Sequence, residues 1–165
     1  MLDLVNSRID WPDGVRDELG DDHQARGWLR ARGGTGSDEE IAGAREVRPI
    51  LIDVLRADAD AAALAPWAEA LTRRASIVDG RLEWTLEVPD RFAVGARAVQ
   101  EWDALQTPTG SRIRPCADPD CQHFLLDRSA ANRRRWHSME QCGNRSKARR
   151  HYARSRDIAE ASATT

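Results

Sequence analysis

Cysteine is missing from the first 115 residues of this 165-residue chain, and no stretch approaches the roughly 18 consecutive apolar residues that a membrane-spanning helix needs. The first absence excludes a disulfide framework there, and the second an integral helical membrane protein. The start, Met1-Leu2-Asp3-Leu4-Val5-Asn6-Ser7, lacks the basic end and apolar core of a secretory signal, so a cytoplasmic chain with no membrane partner is expected. Net charge is scarce too, at −2, yet its distribution is uneven. Residues 1–111 hold 13 Lys+Arg against 21 Asp+Glu, a balance of −8. Residues 112–156 hold 12 against 4, a balance of +8, and the tail 157–165 adds two acids. An acidic body followed by a basic module is the asymmetry expected when one end meets a polyanion. The length suits one modest domain with a small appendage and excludes two large domains.

The body reads as mainly helical. Ala25, Trp28 and Leu29 share a helical face that Gly33-Gly34 ends, and Ser37 with Glu40 forms a capping box. The helix it opens carries Ile41, Ala44, Arg48, Leu51, Ile52 and Leu55 at helical spacing, and Pro49 should kink it or split it in two. A further helix starts around Ala65-Pro66, with Leu64, Trp67, Ala68 and Leu71 inward. Between about 76 and 88 the period changes. Leu82, Trp84, Leu86 and Val88 alternate with charged or polar residues after Asp79-Gly80, which predicts a hairpin, the only strong β signal. Helical spacing returns at Phe92, Ala96, Val99, Trp102 and Leu105, and Thr107–Ser111 reads as a linker. Five tryptophans, Trp11, Trp28, Trp67, Trp84 and Trp102, read mostly as core.

All three cysteines, Cys116, Cys121 and Cys142, fall within the basic module. In a reducing compartment an odd, clustered set favours shared metal ligation over disulfides, and a fourth ligand is then required. The spacing C-x4-C, fifteen residues, H-x4-C supplies it as His137, giving two close pairs, Cys116/Cys121 and His137/Cys142, suited to tetrahedral Zn2+. Asp118-Pro119-Asp120 lets the first pair turn back on itself. His123, two residues after Cys121, is badly spaced for the same ion and reads as surface. The large hydrophobes from Arg112 to Arg156 are too few to order the module without such a staple.

Past the ligands runs Asn144-Arg145-Ser146-Lys147-Ala148-Arg149-Arg150-His151-Tyr152-Ala153-Arg154, a helix with almost no apolar face. Upstream, Arg133, Arg134 and Arg135 add a second basic cluster. Arginine forks suit phosphates and guanine edges. Arg133, Arg134, Arg135, Arg145, Lys147, Arg149, Arg150 and Arg154 are therefore the candidate nucleic-acid contacts. With all four ligand positions used, no open metal site is left for catalysis, and His151 and Asp127 are the only other candidates for it, so a non-enzyme is expected.

The string Cys142-Gly143-Asn144-Arg145, with Asp127-x-Ser129, Arg135-Trp136, Ser138-Met139, Lys147 and Ala148 in order, resembles the CGNR-type zinc finger. His137 stands where that family usually has a cysteine. Residues 1–111 resemble the ABATE domain that accompanies this finger in bacterial proteins described as stress-induced transcription regulators, through Leu2–Ser7, Trp28-Leu29 and Ala44-Arg45-x-Val47-Arg48. The expected fold is mainly α with one small hairpin: a helical domain (1–111), a zinc finger (112–156) ending in a basic helix, and a flexible tail (157–165). The resemblance implies DNA binding and transcription regulation. A zinc-stabilised protein-interaction or RNA-binding module is the alternative. The body is left to form a homodimer, sense a small ligand, or cover the basic module.

Overall fold

The computed structural model describes residues 1–11, 14–108 and 110–163, without the side chains of Trp11 and 157–163. The expectation of a core role for Trp11 thus lies outside the described residues, as do Thr109 of the linker and residues 164–165 of the tail. A short helix α1 (Leu2–Val5) leads into an antiparallel ribbon, β1 (Arg8–Trp11) and β2 (Gly14–Asp17), then α2 (Asp22–Arg30) and α3 (Asp38–Arg56). A 3₁₀ turn, Ala61–Leu64, precedes α4 (Ala65–Glu69). The hairpin β3 (Thr72–Val78) and β4 (Arg81–Glu87) follows, then α5 (Asp90–Ala104). A third strand pair, β5 (Ile113–Pro115) and β6 (Phe124–Leu126), opens the basic module, and α6 (Asn144–Ala163) closes the chain, taking in residues 157–163 of the tail. The fold is mainly helical, as the periodicity predicts. The two extra ribbons escaped the sequence reading because strands of three or four residues are too short to show an alternating pattern.

α3 is the central helix, and α1, α2, α5 and β5 all pack on it. Ser37 caps it as expected, its Oγ accepting the Glu40 N–H at 3.1 Å. Glu40, fully buried, reaches one residue further back than a capping box, accepting from Gly36 N–H at 2.7 Å and from Arg97 at 3.3 Å. Pro49 does not split the helix: α3 runs unbroken for 19 residues with Pro49 exposed. The inner face on both sides of it, Val47, Arg48 and Leu51, is held by packing, which offsets the lost hydrogen bond. At Gly43 the α3 and α5 backbones come so close that a Cβ would overlap the Arg91 carbonyl oxygen.

Of the tryptophans, Trp67 is buried, Trp28 and Trp102 are half-buried, and Trp84 is exposed, contrary to its reading as core. Ala68 is likewise exposed. The most consequential polar group inside is Arg48, 8% exposed. Its guanidinium grips Asp17 with two bonds, 2.6 and 2.9 Å, and Ser7 Oγ at 3.0 Å, tying α3 to the β1–β2 ribbon and to the turn after α1. Burial pushes the Asp17 carboxyl up, but the bonds from Arg48 and the Leu19 N–H win and hold it below its ordinary value.

Gly43→Ala is expected to lower stability by about 2 kcal/mol, read as a shift of the denaturant midpoint, because the added methyl forces two packed helices apart. Arg48→Met should cost about 2 kcal/mol near neutral pH by leaving the half-buried Asp17 carboxylate without its charged partner. As Asp17 is lowered in the folded chain, the stability it contributes is present above its ordinary pKa of about 3.9 and fades as pH falls below it. The gap between Arg48→Met and the parent chain should therefore narrow in acid.

Candidate metal centre

β5 and β6 pair with Ile113 opposite Leu126 and Pro115 opposite Phe124, so the chain between them must reverse. Cys116 and Cys121 sit in that reversal. The Cys116 N–H donates to the His123 carbonyl at 2.8 Å, and the Cys121 N–H closes a turn onto the Asp118 carbonyl at 2.9 Å, where Asp118-Pro119-Asp120 predicts one. The second pair is set by a different local device. Ser138 Oγ accepts the Gln141 N–H at 3.2 Å, and the Ser138 carbonyl accepts from Cys142 and Gly143 at 3.0 and 3.2 Å. These bonds wind Met139–Gly143 into a single π turn that runs directly into α6, with Cys142 buried on its inner side. The two knuckles are joined by the Ala117 N–H donating to the Arg135 carbonyl at 2.8 Å.

The donor atoms of Cys116, Cys121, His137 and Cys142 lie within 4.8 Å of one another, the four residues the spacing selects. His137 Nδ1 is 3.1 Å from Cys121 Sγ and 3.4 Å from Cys142 Sγ. A tetrahedron of bonds about 2.3 Å long has edges of about 3.8 Å, so these separations suit one central ion. The chemistry of the donor set points the same way. Burial pushes the Cys121 thiol up to about 12 and raises Cys142 as well, so on their own these two thiols would stay protonated and inert. A cation reverses that balance by binding the thiolates. Burial, reinforced by the charges of Arg134 and Arg145, lowers His137 and keeps its imidazole neutral, the form that ligates. Cys116, Cys121, His137 and Cys142 would hold the ion, and its bonds would supply the folding free energy that the sparse apolar side chains do not.

His123 departs from its surface reading. It is half-buried and stacks on His137, with ring centroids 4.3 Å apart and planes at 10°, while its Nδ1 is 3.7 Å from Cys121 Sγ. It backs the ligand ring from outside the four-donor cluster.

Asp118 is the residue the sequence undersells. Read as a turn former, it is fully buried, accepts a hydrogen bond from Arg149 Nη1 of α6 at 2.9 Å, and is ion-paired with Arg145, whose Nε lies 2.8 Å from its other oxygen. Arg149 also pairs with Asp120, and Arg145 reaches Cys142 Sγ at 3.7 Å. Burial raises the Asp118 carboxyl, yet the bonds from Arg149 and Asp120 and the charge of Arg145 keep it below the usual carboxylate range. The only available signal was scarcity, since Asp118 is one of four acids among 12 cations in residues 112–156. Two of the eight candidate contact residues, Arg145 and Arg149, are thus engaged within the module.

The other six sit apart from that clamp. Arg134 donates to the Trp136 carbonyl at 2.9 Å and the His137 carbonyl at 2.5 Å, bracing the ligand loop. Arg135 lies over the Trp136 ring, 5.2 Å from its centroid, and Arg133 is exposed beside it. Lys147, Arg150 and Arg154 are exposed along α6. Of the two leftover catalytic candidates, Asp127 is buried and accepts from Ser129 N–H at 2.9 Å and Arg134 N–H at 2.7 Å. Those bonds hold its carboxyl down at about 2 and occupy it structurally. His151 is exposed, edge-on to Tyr152.

The module also leans on the body. Asn6 Nδ2 donates to the Phe124 carbonyl at 3.1 Å and its Oδ1 accepts the Phe124 N–H at 2.8 Å, so one side chain imitates a strand partner for β6. Ile113 and Phe124 are buried in the same apolar cluster as Leu4 and Leu51.

Removing one donor should empty the site. Cys142→Ser is expected to lower bound divalent metal from about one ion per chain to a small fraction, by elemental analysis of purified protein, with loss of α6 helicity in the far-ultraviolet circular dichroism. Among curated proteins none matches this chain. No family model supports the ABATE-like reading of the body, whereas residues 112–155, the stretch that carries this four-donor cluster, match the model of the CGNR zinc finger.

Proposed function

We propose that the chain is a zinc-dependent DNA-binding protein, a bacterial cytoplasmic transcription regulator rather than an enzyme, that meets nucleic acid through α6 and the arginine cluster before the π turn. Zinc is the ion this donor set fits best, since three thiolates and an imidazole in a closed tetrahedron are its common structural site. One observation carries the reading. The metal knuckle and Asp118 hold the start of α6, with Arg145 and Arg149 tied to Asp118, while Lys147, Arg150 and Arg154 remain exposed along it. A helix with so few apolar residues contributes little to a core, and its fixed row of cations matches a phosphate backbone. Arg133 and Arg135 extend the same positive surface from the neighbouring loop. The acidic body does not mask these side chains, which are solvent-exposed in the free chain. The ABATE-like resemblance of the body fits a regulatory half that carries a sensor for a small ligand.

With Arg133, Arg135, Lys147, Arg150 and Arg154 as phosphate contacts, the logarithm of DNA affinity should fall against the logarithm of salt with a slope of about −4 to −5. Lys147→Ala, Arg150→Ala and Arg154→Ala together should reduce that slope by about three while leaving bound metal unchanged. Fluorescence anisotropy on duplex DNA, structured RNA and heparin at fixed salt checks this. Binding that is insensitive to salt, or RNA bound in preference to duplex DNA, would overturn the reading.

A further inference from the structure

The β3–β4 hairpin has one apolar face that the other described residues leave largely exposed. Leu82, Trp84 and Leu86 alternate on β4, and their cross-strand neighbours on that face are Ile77, Ala75 and Arg73. Ile77 is 70% exposed, Leu82 58%, Trp84 55% and Leu86 57%. The single cation of the face, Arg73, lies over the Trp84 ring, 5.2 Å from its centroid. The reverse face is polar and carries the Arg74–Glu87 ion pair. A two-stranded ribbon alone is marginally stable in water, and an uncapped strand edge is a template for pairing. The Asp79-Gly80 turn, with φ of 48° and 74°, makes a two-residue hairpin. In such a hairpin Arg81, Glu83, Thr85 and Glu87 spend their backbone groups on β3, and Leu82, Trp84 and Leu86 point theirs outward at the free edge of β4.

We propose that this edge binds a second copy of the chain, β4 against β4 in antiparallel order about a two-fold axis at Trp84, giving a four-stranded sheet across the dimer. The strand is self-complementary in that register. Trp84 faces Trp84 of the second copy, Leu82 faces its Leu86, Glu83 faces its Thr85, and Arg81 faces its Glu87 twice over. The groups that point outward pair with each other, and the two charge pairs fall at narrow positions, where side chains approach most closely. Neighbouring registers fail. A slip of two residues one way sets Glu83 against Glu83, and the other way sets Glu83 against Glu87. A slip of one sets apolar residues beside charged ones. Arg81 has no ion-pair partner among the described residues, and Glu87, bonded to Arg74 through one oxygen, keeps its second oxygen for another donor. The acids on β4 disfavour a phosphate backbone as the occupant.

Sedimentation of the full, metal-loaded chain over a range of concentrations tests this. A reversible dimer is expected. Arg81→Glu and Glu87→Arg should each weaken it at least tenfold by opposing like charges, and the double variant Arg81→Glu/Glu87→Arg should recover most of the affinity. Because Arg81 is exposed, the thermal unfolding of Arg81→Glu as monomer should match the parent's, while Glu87→Arg, which gives up the exposed pair with Arg74, should unfold only slightly earlier. A chain that stays monomeric overturns the proposal. So do single variants that dimerise as well as the parent, and a double variant that does not recover. A monomer whose duplex-DNA affinity drops with Trp84→Ala would make nucleic acid the occupant and overturn it as well.

Discussion

Four donor atoms from two turns of chain have to meet at one point, and most of what is distinctive about the C-terminal third follows from that requirement. The first turn is stitched by β5–β6 pairing and closed by Asp118-Pro119-Asp120, and the second is wound into a π turn on the Ser138 carbonyl. Neither has enough apolar surface to stay folded alone. Cys116, Cys121, His137 and Cys142 would couple them by holding one ion, whose binding free energy would then become folding free energy. Asp118 gives the same constraint a direction: anchored in the first knuckle, it draws in Arg145 and Arg149 and so sets where α6 leaves the site. The same salt bridges separate the arginines tied into the start of α6 from those left exposed along it.

The body and the module differ in charge sign but share an interior. Asn6 completes the hydrogen bonding of Phe124, and Ile113 and Phe124 pack with residues of α1 and α3. Arg48, from the centre of α3, gathers the β1–β2 ribbon and the turn after α1 through Asp17 and Ser7. The short motifs that suggest a relationship for the body, Leu2–Ser7 and Ala44–Arg48, thus lie on the surfaces that meet β6 and the first ribbon. Their polar residues serve the structure: Asn6 holds β6, and Arg48 neutralises a half-buried carboxylate.

The β3–β4 hairpin shows the limit of pattern reading in the other direction. Its alternation is the clearest β signal in the chain, and the hairpin forms around the Asp79-Gly80 turn it marks, though β3 begins at Thr72, four residues before the expected start near 76. An alternating strand, though, says only that one face is apolar. What covers that face depends on neighbours, and α4 and α5 pack on each other while the ribbon extends past them. Trp84 is exposed for this reason, although its chemistry alone puts it inside.

What the sequence by itself determined is whatever depends on residues close along the chain. Ligand types at fixed spacings picked out the four residues whose donor atoms cluster, Ser37 opposite the Glu40 N–H fixed the start of α3, and Asp79-Gly80 fixed the hairpin turn, because sulfur chemistry, capping and turn conformation act over a few residues. Only the tertiary structure decided that Asp118 is a buried anchor, that Asn6 serves a strand 118 residues away, that Glu40 reaches back to Gly36 and across to Arg97, and that Pro49 leaves its helix whole. Each of these depends on a partner or packing surface from another part of the chain, and no periodicity or spacing along one segment records which distant group will be folded against it.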